Sequence, residues 1–143
     1  MTSRTLAHAF LGLVIVGFSG TRAFSQSTAS STSRSTADSV FTAEQANSGA
    51  DVYASACQGC HTAASHSGAP FLIRWQGRSV AELFAYVSTA MPKSDPGSLT
   101  PEEYAEVVAY LLKINRMPAG HSGLPADTAT LRRIRIDTTR HTR

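Results

Sequence analysis

The chain has 143 residues, two cysteines and a formal net charge of +3. That length allows one domain, and two cysteines supply neither a disulfide framework nor an all-cysteine zinc site. The positive charge collects at the ends: residues 131–143 hold five arginines against Asp137, whereas residues 44–124 hold five basic and seven acidic side chains, a balance that gives no support to nucleic-acid binding.

Residues 1–25 carry the marks of a secretory leader. Arg4 precedes an uncharged apolar run over residues 9–18, and Ala23-Phe24-Ser25 places small residues where cleavage before Gln26 would need them. The apolar run is shorter than the roughly 20 residues that cross a bilayer, so removal is expected rather than retention as an anchor. Arg4 and Arg22 would leave with it, taking the net charge to +1. Residues 26–40 follow as a linker. Nine of the fourteen residues from Gln26 to Ser39 are Ser or Thr and none is a large apolar, so the stretch is expected to bury nothing.

The first helix is expected from Thr42, a capping hydroxyl with Gln45 three residues on as the reciprocal partner of a capping box. Ala46, Gly49, Ala50 and Tyr53 recur at helical spacing on a face that runs into Cys57. Gly49 costs such a helix about 1 kcal/mol against Ala, a cost expected where a second helix crosses too closely for a side chain.

Cys57-Gln58-Gly59-Cys60-His61 is a C-x-x-C-H run, the sequence form of covalent c-type haem attachment. Two thiols add across the two vinyl groups of one porphyrin, and the two-residue spacer sets their separation on a turning helix end. His61 then lies beneath the iron as the proximal ligand. Other uses of C-x-x-C fit less well. The flanks lack the βαβ pattern of a dithiol redox centre, and His66, His121 and His141 would complete a Cys2His2 zinc set only at irregular spacing. A disulfide between the two cysteines would close a tiny, strained ring.

After His61 the chain reads as loop as far as Trp75, punctuated by Ser65, Ser67, Gly68 and Pro70. Phe71, Leu72 and Ile73 are expected to form a wall of the haem pocket or the core. Ser79 with Glu82 opens a second helix that faces inward with Val80, Leu83, Phe84 and Val87 and ends before Met91-Pro92. Thr100, Pro101 and Glu103 open a third, with Tyr104, Val107, Val108, Leu111 and Leu112 as its buried face and an end near Asn115. Strand-like alternation is confined to residues 131–136, where arginines interleave with Leu131, Ile134 and Ile136. The domain is therefore expected over residues 41–120, with a basic C-terminal extension over 121–143. Three helices of this size bury little apolar area. A haem plate would supply the missing core, and the protein without haem is expected to be poorly folded.

From Asp51 to Gly120 the sequence resembles a class I cytochrome c domain, with the attachment motif near its N-terminus, a methionine downstream and a closing helix. The segment from Met91-Pro92-Lys93 to Leu99, with the helix through Ala109-Tyr110-Leu111-Leu112-Lys113, is similar to small periplasmic cytochromes c associated with dehydrogenases such as quinoprotein alcohol dehydrogenases. The resemblance implies an all-α fold, a small bundle of three main helices around one covalently attached haem c. It places the sixth ligand at Met91, in the loop between the second and third helices, with Met117, His66, His121 or an open position as alternatives. A thioether is soft and neutral, favours ferrous iron and raises the potential. The resemblance also implies the carbonyl near Pro70 as partner for the second N–H of His61. Trp75 is implied as a propionate donor or as packing, and Tyr53 with Tyr110 or Leu111 as the contact between first and last helices.

The implied function is electron transfer, not catalysis. An exported, periplasmic monohaem cytochrome would shuttle single electrons between a dehydrogenase or other donor and a respiratory acceptor, such as a terminal oxidase or another cytochrome. It would act as a monomer or as a subunit of a transient complex, with no nucleic-acid partner and no stable membrane insertion after the leader is removed. The alternatives are a haem-based gas sensor or haem enzyme with an open sixth position, or a cytochrome subunit of a larger dehydrogenase. The terminal arginines would steer association with an acidic partner or membrane surface, or simply form a solvated end.

Overall fold

Two 14-residue helices cross where only glycine permits it. The computed structural model describes residues 34–138, and in it α1 (Ala43–Ala56) lies across α4 (Pro101–Ile114). A Cβ on Gly49 would stand 1.9 Å from the carbonyl oxygen of Glu106, so the backbones meet directly. One turn further along α1, Tyr53 packs on Tyr110 with ring centroids 5.2 Å apart. The tight crossing was expected from the sequence, and Tyr110 is one of the two partners expected for Tyr53.

The helix starts follow from local side-chain chemistry. Ser79 and Thr100 each cap with a reciprocal glutamate at the third helical position, which opens α3 (Val80–Ala90) and α4 as expected. Ser79's backbone N–H, then Arg78's guanidinium and Ser79's hydroxyl, hold the Glu82 carboxyl down at about 2. Thr42 caps α1 by accepting from the Gln45 N–H, but the Gln45 side chain does not return to the cap. Its amide instead brackets Leu124, donating to the carbonyl and accepting from the N–H, both at 2.7 Å.

A further helix, α2 (Ala69–Trp75), occupies the segment read as loop. Pro70 falls in its first turn, where a missing N–H costs nothing, and Gly68 precedes it at φ +63°. Phe71 and Trp75, four residues apart, form its buried face, whereas Ile73 is 87% exposed and belongs to no wall.

The expected boundaries at 40/41 and 120/121 do not hold. β1 (Arg34–Ser35) pairs in parallel with β2 (Ile134–Arg135), and the short helix α5 (Thr128–Leu131) leads into the second strand. The Thr36 hydroxyl donates to the Asp137 carbonyl at 2.7 Å and accepts from the Asp137 N–H at 2.9 Å. Ile136 exchanges backbone hydrogen bonds with Gly77 and Arg78, each 2.8 Å long. Leu124, Leu131, Ile134 and Ile136 are buried with Val40 and Phe41, as are Ser35, Thr36 and Ala37. Small side chains with mutually satisfied polar groups can be buried in a Ser/Thr-rich stretch, which is why composition misplaced this edge. The expected leader and the start of the expected linker lie outside the described residues. No helix among the described residues is long and apolar enough to cross a membrane.

Gly49→Ala should lower the unfolding free energy by about 2 kcal/mol, although alanine favours an isolated helix by about 1 kcal/mol. Gly123→Ala, which meets only ordinary contacts, should be close to neutral; denaturant unfolding followed by circular dichroism compares the two. Truncation after Gly120 removes four buried apolar side chains, each contributing about 1.5–3 kcal/mol. Against a typical total of about 5–15 kcal/mol, the truncated chain should lose its cooperative thermal transition.

Candidate haem-binding site

The end of α1 folds back into a single turn that carries both thiols and the imidazole. Cys57 ends the helix with its N–H on the Tyr53 carbonyl at 2.9 Å. Its own carbonyl then accepts from the N–H groups of Cys60, at 3.1 Å, and His61, at 3.0 Å. The Tyr53 hydroxyl donates to the His61 carbonyl at 3.4 Å. Cys57 is half-buried, Cys60 is exposed, and both thiols are free. Burial raises the Cys57 pKa, which keeps the sulfur protonated and unlike a reactive thiolate.

Cys57, Cys60, His61 and Met91 all line one cleft, of about 820 Å³ including its solvent-open part. Phe71, Trp75, Leu83, Val87, Val107 and Leu111 make its walls apolar. A cleft with apolar walls that also presents two thiols and an imidazole suits a large, mostly apolar cofactor.

Met91 ends α3 and is held from both sides. Its N–H donates to the Val87 carbonyl at 3.1 Å, and its carbonyl accepts from the Tyr104 hydroxyl of α4 at 2.8 Å. The Met91–Pro92 peptide is cis. Met117 is in the core, only 4% exposed, and does not line the cleft, so it is not the exposed side chain that the sequence allowed. His121 is also outside the lining, whereas His66 is part of it.

Residues 44–111, just under half of the chain, match the family model of cytochrome c oxidase, cbb3-type, subunit III. No curated protein and no solved structure matches the chain. Residues 44–111 form a class I cytochrome c domain. Such a domain holds haem c covalently, and the spacing of Cys57 and Cys60 is that of the attachment motif.

The cytochrome domain has two supports that sequence reading missed. Asn115 caps α4 and clamps the loop beyond the motif. Its amide nitrogen donates to the carbonyls of His66 and Leu111, both at 2.8 Å, and its oxygen accepts from the Gly68 N–H at 2.9 Å. The clamp seats His66 beside His61, ring centroids 4.7 Å apart, with its ring nearly perpendicular to that of Tyr53. Burial, then the neighbouring His61 and Arg74, lower the His66 pKa and favour the neutral ring. Pro70 is in the first turn of α2 and outside the cleft lining. The second support is Tyr104, whose place on a buried helical face was legible but whose hydroxyl partner was not.

Tyr104→Phe keeps the ring and removes the bond to the Met91 carbonyl. Thermal unfolding should show a loss of about 1 kcal/mol, and the variant should keep the far-ultraviolet circular dichroism of wild type.

Proposed function

We propose that this cytochrome domain is an exported carrier of single electrons, in which Cys57 and Cys60 anchor the haem while His61 and Met91 serve as its axial ligands. The observation that supports this reading most strongly is the convergence of both thiols, the His61 imidazole and Met91 on one apolar cleft that excludes Met117. When bound, haem supplies a one-electron Fe(III)/Fe(II) couple.

The chain's own residues do the rest. The turn accepted by the Cys57 carbonyl holds the two sulfurs and the imidazole in register. Tyr104 and the end of α3 hold the Met91 backbone, so its thioether can serve as a soft, neutral donor that favours the reduced state. The apolar walls keep water away, which favours a small change of solvation on electron transfer. With both axial positions filled, no substrate need reach the metal, and a carrier fits better than a catalyst.

The donor is read as a dehydrogenase or another exported redox protein. The printed name of the matched family, a cytochrome c oxidase subunit, adds a respiratory oxidase as a candidate acceptor. Both are protein partners, and export follows from the leader-like sequence of residues 1–25.

In protein matured in cells able to make c-type cytochromes, haem should stay with the polypeptide through acid–acetone extraction. Met91→Ala should abolish the weak sulfur-to-iron charge-transfer band of the oxidised form and lower the midpoint potential, whereas Met117→Ala should retain both. Haem that partitions wholly into solvent would refute the attachment, and exchanged behaviour of the two variants would refute the ligand.

A further inference from the structure

The attachment turn fixes the backbone of His61 but not its ring. The His61 N–H donates to the Cys57 carbonyl at 3.0 Å, and the His61 carbonyl accepts from the Tyr53 hydroxyl at 3.4 Å. The imidazole itself takes part in no hydrogen bond among the described residues. The torsion that turns an imidazole about its bond to Cβ is broad, so the angle of this ring is set by what packs against it. A metal-ligating histidine ordinarily has its ring fixed by a hydrogen bond to a carbonyl or carboxylate. Pro70, near the carbonyl implied for that task, is exposed in the first turn of α2 and outside the cleft lining.

His66 is what packs there. Its ring centroid lies 4.7 Å from that of His61, with the planes inclined at 59°. It lines the cleft with His61 and also meets Tyr53, centroids 6.2 Å apart and planes almost at right angles. Within the loop the hydrogen bonds are short-range, from the Ser65 N–H to the Thr62 carbonyl and from the Ser67 N–H to the Ala64 carbonyl. The long-range tie is Asn115. Buried at the end of α4, it donates to the His66 carbonyl at 2.8 Å and accepts from the Gly68 N–H at 2.9 Å. Its other amide hydrogen goes to the Leu111 carbonyl, also at 2.8 Å. A buried amide with its bonds made on both ends is held in one orientation, and it carries that rigidity from α4 into the loop.

We propose that His66 is a positioning residue for the proximal ligand: locked to α4 through Asn115, its ring braces the His61 imidazole and fixes the angle at which that imidazole meets the haem iron. The brace is ring against ring and needs no hydrogen bond between the two histidines. It rests on the electron-carrier reading above. A ligand held in one orientation in both oxidation states needs no rearrangement when an electron arrives.

The test is electron paramagnetic resonance of the oxidised, haem-loaded protein, because low-spin g values depend on the orientation of the axial imidazole. Wild type should give one low-spin signal. His66→Ala should replace it with a broadened or split signal from more than one orientation. His66→Phe restores a ring without the nitrogens and should return the single signal. Asn115→Ala should resemble His66→Ala although the His66 ring is still present, since nothing then holds the ring in place. A residue that only stabilised the fold would move the melting temperature and leave the g values alone.

Wild-type g values in His66→Ala would overturn the proposal, as would a His66→Phe signal as heterogeneous as that of the Ala variant. If His66→Ala does not accumulate with haem, Asn115→Ala decides: a heterogeneous signal supports the brace and a single one overturns it. Wild-type protein without covalent haem, or with a high-spin signal, would overturn the carrier reading and this proposal together.

Discussion

The backbone contact between Gly49 and Glu106 sets the rest of the molecule. Because α1 and α4 meet without a side chain between them, the C-terminal end of α1 is delivered against Tyr110 and the last turns of α4. The C-x-x-C-H turn therefore opens onto a wall already supplied with Val107 and Leu111. From the same helix, Tyr104 reaches Met91 and Asn115 reaches the loop at His66–Gly68. One helix thus positions the attachment turn, the methionine loop and the loop after the motif. A side chain at position 49 would displace all three together.

The second organising feature lies outside the stretch matched by the family model. Residues 34–42 and 120–137 close on each other through two short strands and the Thr36–Asp137 hydrogen bonds, and Gln45 of α1 adds its bracket on Leu124. Gly120 permits the closest point of this closure: a Cβ there would stand 2.5 Å from the Ser39 carbonyl oxygen. Leu131, Ile134 and Ile136 complete a core alongside Val80 and Leu83 of α3. Small domains of this kind are short of buried apolar area. Here part of the shortfall is met by the chain's own flanks, so haem is one contributor to the core and not the whole of it.

What could be read from the sequence was what depends on near neighbours. The caps at Ser79 and Thr100 and the inward faces of α3 and α4 follow from residues within one or two turns. The C-x-x-C-H motif was legible because its chemistry fixes both residue type and spacing. What depends on distant partners was not. Ser35, Thr36 and Ala37 looked too polar and too small to matter, but Asp137, 101 positions along the chain, satisfies the Thr36 hydroxyl. Gln45 fits a capping box on paper, but Leu124 offers its amide two bonds instead of one. α2 was hidden by Gly68 and Pro70, read as loop punctuation although both suit a helix start. His66, five residues beyond His61, drew notice only as a candidate metal ligand, for zinc or for the haem iron, and its place beside His61 comes from Asn115, far along the chain.

The central claim is that the cleft holds haem with both axial positions filled by the chain. The most direct test is the absorption spectrum of the reduced, haem-loaded wild-type protein before and after carbon monoxide. Filled axial positions predict narrow low-spin bands that carbon monoxide at micromolar concentration leaves unchanged. Rapid conversion to a carbon monoxide adduct would contradict the claim and turn the cleft into the site of a sensor or an enzyme.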